Sequence, residues 1–335
     1  MLVGRQSWRF DTRPVILSSA VVGGPFEAQC PLADDFDYFH DDLWLQQDSF
    51  EKAEVKLLEH ACEKALEKAG LKSQDINFLL SGDLDNQITS SSFAARGLKI
   101  PYLGLFGACS TSMEGLALAS KIIDNDGANY VMAATASHNA AAEKQFRYPT
   151  EYGAQKPPTA QWTVTGAGAV ILGREGKGPR IISATIGKVV DLGISDPFNM
   201  GAAMAPAAVD TIEVHLNEMN LESDYYDLIA TGDLGFTGYS IACELMQKRG
   251  IKMDNNRYTD CGILIYGNDP KVFSGASGCA CSAAVTYGHF FNRMKRGELK
   301  RILIAATGAL LSPMSYQQKE SIPCIAHAVS IEYIQ

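Results

Sequence analysis

The tripeptide Ala108-Cys109-Ser110 recurs as Ala280-Cys281-Ser282, and the same offset aligns the apolar stretches that follow, Met132-Ala133-Ala134-Thr135 and Ile304-Ala305-Ala306-Thr307. Upstream, Ser81-Gly82-Asp83-Leu84 corresponds to Thr231-Gly232-Asp233-Leu234. Self-similarity at three successive places, with a period too long for a solenoid, describes one αβ unit present twice. Two such copies are expected to pack as a pseudo-twofold pair, with function where they meet.

Composition narrows the class. A chain of 335 residues with 46% hydrophobic content fills two ordinary domain cores. The formal net charge of -9 and the lack of any basic run disfavour nucleic acid or an acidic bilayer as a non-specific partner. Eight cysteines lack the spacing of a disulfide framework, and no apolar stretch follows a charged N-terminus. This predicts a reduced, non-secreted protein without a signal peptide. The longest apolar runs, such as Ala203 to Val209, fall far short of the roughly 20 residues a spanning helix needs. Any membrane association is therefore expected to be peripheral. Cys109, Cys279, Cys281 and Cys324 match no zinc-site spacing, so no structural zinc is expected.

Along the chain, Val15 to Val22 reads as a buried strand stopped by Gly23-Gly24-Pro25. Asp34, Asp35, Asp37, Asp41 and Asp42 lack the spacing of a calcium loop and read as a solvated loop. Asp48-Ser49-Phe50-Glu51 opens a helix whose apolar spacing lasts until Gly70. Strands over Ile76 to Leu80 and Tyr102 to Phe106 end at Ser81-Gly82-Asp83 and Gly107-Ala108-Cys109. The helix after Cys109 turns its free N–H groups toward that thiol, which favours anions and is expected to lower the thiol pKa. The second half repeats the order with a strand over Tyr226 to Thr231, a helix through Ile241 to Lys248, a helix from near Cys281 to Gly297, and a strand over Ile302 to Ala306. Glu143 to Gln161, without periodicity, reads as a long loop.

Three of these segments carry a family resemblance. Val15 to Ala20 before Pro25, Gly107-Ala108-Cys109-Ser110 and Thr165-Gly166-Ala167-Gly168-Ala169-Val170 resemble the thiolase and ketoacyl synthase superfamily, over nearly the whole chain. Cys324-Ile325-Ala326 resembles the second thiolase cysteine motif, ordinarily Cys-x-Gly. The resemblance implies a five-layered αβαβα fold with halves at about residues 1 to 174 and 175 to 335, and a homodimer formed through the first-half sheet. More closely, the chain is similar to the thiolase-like proteins of spore-forming bacteria. That likeness implies a protein that binds dipicolinic acid, pyridine-2,6-dicarboxylate, free or with Ca²⁺, during its uptake into the developing spore. It also implies a peripheral place at the inner spore membrane with membrane-protein partners, and no cofactor beyond the ligand's own calcium.

Departures from the enzymes argue the same way. Thiolases activate their cysteine with a Gly-His-Pro histidine, and many synthases add one after the preceding strand. The corresponding positions here read Gly278-Cys279-Ala280 and Thr231-Gly232-Asp233. A positioned acid or base contributes about 10²- to 10⁴-fold, so its loss leaves little condensing activity. The enzyme alternative uses Cys109 as acyl nucleophile with Cys324 or His327 as the base.

The ligand is expected at the strand ends, among Gly82, Asp83, Cys109, His138, Gly232, Gly278 and Cys279. Cys109 is either pocket wall or nucleophile. Asp83 either caps a turn or helps hold a cation. A planar dianion needs positive charge, which Arg147 or a co-bound Ca²⁺ would supply, with Asp83 the candidate contact to that calcium.

Overall fold

The structure, a computed structural model, describes residues 1–146, 156–254 and 256–333. Ten principal strands carry the fold. The first half contributes β1 (Val15–Gly23), β2 (Phe78–Gly82), β3 (Tyr102–Gly104), β4 (Tyr130–Ser137) and β5 (Gly166–Gly173). The second contributes β6 (Arg180–Ile186), β7 (Leu228–Thr231), β8 (Tyr258–Asp260), β9 (Arg301–Ala309) and β10 (Cys324–Glu332). From the junction outward, the halves run β1-β5-β4-β2-β3 and β6-β10-β9-β7-β8. Each strand thus has a counterpart in the same place. The halves join where Val15 pairs antiparallel with Arg180.

Period-two alternation explains why these strands are apolar along their whole length. On β5, Ala167, Ala169 and Ile171 join one core while Val170 and Leu172 join another, because helices cover both faces. Helix α1 (Phe50–Ala69) starts at Ser49, whose hydroxyl accepts from the Lys52 N–H at 3.2 Å, and stops at Gly70 with φ 67°. With α2 (Thr89–Leu98) it forms the outer layer of the first half. Helix α3 (Thr111–Asp124) lies between the sheets, followed in the chain by the short α4 (Asn139–Phe146). On the far face, α5 (Met200–Met219) and α6 (Gly235–Lys248) cover the second sheet. Helix α7 (Cys279–Ala284) continues through a π-helical stretch, Val285–Phe290, into Phe291–Lys295 and completes the middle layer. Five layers result, and the Ser112 and Ser282 hydroxyls meet at 2.7 Å between the two middle helices.

Two details differ from the sequence expectation. Residues 143–146, read as loop, belong to α4, where Ala141 and Ala142 supply a buried face. The aspartate-rich loop is not simply solvated: Asp37 accepts from the Val21 N–H at 2.8 Å, and Asp35 pairs with His289 at 2.6 Å.

Candidate functional site

Ala108–Ser110 forms a single 3-10 turn between β3 and α3, with Ala108 at φ 49°. That left-handed backbone costs an alanine energy and persists because the surroundings fix it. The Thr111 hydroxyl donates to the Ala108 carbonyl at 2.7 Å, and the Cys279 thiol donates to the same oxygen at 3.1 Å. Gly278, at φ 104°, is required where it stands, since a Cβ would lie 2.7 Å from the Ser137 hydroxyl oxygen. Its N–H donates to Asp233 Oδ2 at 3.2 Å, while the Thr307 hydroxyl donates to Oδ1 at 2.6 Å.

Asp233 and Cys279 both face Cys109, and they set its chemistry. The hydrogen bond with Cys279, then burial, then the Asp233 charge push the Cys109 thiol well above its ordinary range. The expected lowering by the helix N-terminus is therefore overturned. Asp233 is itself pushed up to about 7, chiefly by burial. A thiolate is the reactive form, and this environment keeps the proton on sulfur.

Cys109 and Asp233 line a narrow cavity of about 30 Å³ with Thr163, Ser277 and an apolar wall that includes Met200, Met204 and Phe146. It has room for a water or two. Outside it lies a vestibule of about 260 Å³, sharing Leu84, Phe146, Ala309 and Leu311 and bounded by Asp83, Asp85 and Phe106. Among the described residues no Lys, Arg or His lines either space.

The other expected residues fall in different places. Asp83 lines the vestibule and also caps, accepting from the N–H groups of Asp85 at 2.8 Å and Ser91 at 2.6 Å. Gly82 and Gly232 line neither cavity and serve close packing: a Cβ on Gly82 would collide with the Leu105 carbonyl, and one on Gly232 would stand 2.8 Å from the Thr307 nitrogen. His138 is corrected outright. Its Nε2 bonds to the Leu43 carbonyl at 2.9 Å, its Nδ1 accepts from the Ala140 N–H at 3.2 Å, and its ring stacks on Phe50. With both nitrogens occupied, it pins a loop rather than facing the cavity. His327 accepts from the Gly187 N–H at 3.3 Å, and burial pushes it down to about 4. The Cys324 thiol donates to the Ile322 carbonyl at 3.4 Å within the outer core of the second half. Neither lines the cavity of Cys109. Arg147 lies outside the described residues.

Two side chains escaped the sequence reading. Asp233 was visible only as a missing histidine, although its strand-end place already aimed a carboxylate at the crevice. Glu54, on α1, gave no signal, because an acid within an amphipathic helix ordinarily faces water; here it is 1% exposed.

Repeated halves, a cysteine on the turn before the middle helix, and partner groups from the other half define a thiolase-like protein. Solved structures agree on the fold. The chain is 15% identical to 3-oxoacyl-[acyl-carrier-protein] synthase III of Aquifex aeolicus VF5, with a TM-score of 0.58, covering 96% of this chain and 100% of that one. It is 14% identical to an OleA variant of Xanthomonas campestris, with a TM-score of 0.64, covering 99% and 100%. Residues 4–332 match the stage V sporulation protein AD family. Over 331 residues the chain is 51% identical to stage V sporulation protein AD of Bacillus subtilis (strain 168), covering 99% of this chain and 98% of that relative. The chain belongs to the stage V sporulation protein AD family.

Proposed function

We propose that this sporulation protein binds dipicolinic acid without turning it over, and assists its uptake into the developing spore. The observation that carries this reading is the surrounding of Cys109: a carboxyl and a second thiol stand where an enzyme would hold a base. A condensing enzyme with Cys109 as nucleophile would need that proton removed. Cys324 and His327, the alternative bases, are bonded elsewhere. The vestibule of about 260 Å³, just below the roughly 300–1,000 Å³ range of ligand sites, suits one small planar ring, with a carboxylate directed at Cys109. Because acids and no cationic side chain line it among the described residues, the ligand would enter as its calcium chelate; Arg147, the other expected source of positive charge, lies outside the described residues.

No helix among the described residues is long and apolar enough to cross a membrane, so action at the inner spore membrane would be peripheral, beside other stage V sporulation A membrane proteins. Exposed Phe93, Leu103 and Phe106 around edge strand β3 support a homodimer through the first-half sheet. Titration calorimetry with dipicolinate, with and without Ca²⁺, tests the proposal: saturable heat in either condition is expected, and flat traces in both at high micromolar protein would sink it.

A further inference from the structure

Glu54, Asp83 and Asp85 come from different elements, α1 and the loop after β2, yet one carboxylate oxygen from each lies within 4.8 Å of the others. All three are buried, at 1%, 4% and 7% exposure. No Lys or Arg among the described residues pairs with any of them; the nearby Lys144 is bonded to Glu51 at 2.6 Å. Backbone N–H groups occupy Asp83, and the Ser90 hydroxyl donates to Asp85 at 2.6 Å. Glu54 differs. Its Oε1 is buried and has no hydrogen-bond partner, a costly state for a polar atom.

We propose that Glu54, Asp83 and Asp85 form a binding site for a single hard divalent cation, Ca²⁺ before Mg²⁺, that closes on the orphaned Glu54 oxygen. Three carboxylates and no sulfur or imidazole select hard ions. Direct ligation by several side-chain carboxylates suits Ca²⁺, with metal–oxygen bonds of about 2.3–2.6 Å and a flexible geometry, better than Mg²⁺, which demands a tighter octahedron and keeps several of its waters. Asp83 and Asp85 also line the vestibule, which provides the entry path and leaves the ion's remaining positions open to water or to an anion.

The test uses the full-length protein, stripped with a chelator and titrated calorimetrically with CaCl₂ and, separately, MgCl₂. The expected result is one Ca²⁺ per chain, weaker Mg²⁺ binding and a raised melting temperature. Glu54→Gln and Asp85→Asn should each weaken Ca²⁺ at least tenfold. No heat and no melting shift at millimolar Ca²⁺ would overturn the proposal, as would equal binding in both folded variants. Should both variants unfold, stoichiometry decides on the wild-type protein: saturation at one Ca²⁺ per chain supports the site, and only weak, non-saturating heat of the kind surface carboxylates give overturns it. Dipicolinate is absent from every arm, so this outcome and that of the ligand proposal are independent.

Discussion

Gly107 and Gly308 touch across the two halves: a Cβ on Gly308 would collide with the Gly107 carbonyl, so the turn that carries Cys109 rests directly on β9. No side chain fits between them. Gly308→Ala must push the turn away from the strand, and overpacking of this kind costs about 1–3 kcal/mol. Urea denaturation should register that loss, accompanied by weaker dipicolinate binding. A neutral substitution would mean the contact is loose.

Cys109 is a wall in the proposed binding mode, so size matters more than nucleophilicity. Cys109→Ala should cost at most about 1 to 2 kcal/mol of dipicolinate affinity, the scale of one modest hydrogen bond and contact. Cys109→Leu should abolish binding by filling the cavity of about 30 Å³. Equal and complete loss in both folded variants would instead favour covalent catalysis, which either change would stop.

Asp233 raises the Cys109 thiol by its negative charge. Asp233→Asn removes that charge and should lower the thiol pKa. Modification of Cys109 by methyl methanethiolsulfonate at pH 8, followed by peptide mapping, should then run severalfold faster than in the wild type. Slower modification would contradict the electrostatic account.

Glu54 sets a pH dependence with a definite sign. Burial first, then the charges of Asp85 and Asp83, hold its carboxyl protonated well above the 4.5 it has in an unfolded chain. Between those values the folded state binds the extra proton, so stability falls as pH rises. Glu54→Gln is free of that loss. In chelator-containing buffer, the melting temperature of Glu54→Gln minus that of wild type should increase from pH 5 to pH 8; a constant difference would show that Glu54 ionises normally.

Much of the fold was legible because duplication repeats its punctuation. The first Ala-Cys-Ser copy, the small residues at strand ends and the glycine after α1 report local backbone demands and fall at element boundaries, while the second copy lies within the first turn of α7. The site was less legible, because its chemistry depends on partners far away in the chain. His138 looked well placed from its strand end, yet the Leu43 carbonyl, 95 residues earlier, occupies it. Asp233 reaches Cys109 only through the packing of one half on the other, and Glu54 joins Asp83 and Asp85 only because α1 folds onto the loop after β2.

The seating of the Cys109 turn on β9 also sets an order of events during synthesis. Every strand of the first sheet has been synthesised by residue 173, but the strand beneath the turn begins at Arg301 and the one beside it at Cys324. A nascent chain that stops short of these strands leaves Cys109 on an unsupported loop, with no carboxyl partner held in place by Thr307. In the proposed binding mode, the wall around Cys109 is therefore complete only once the last strands have been made.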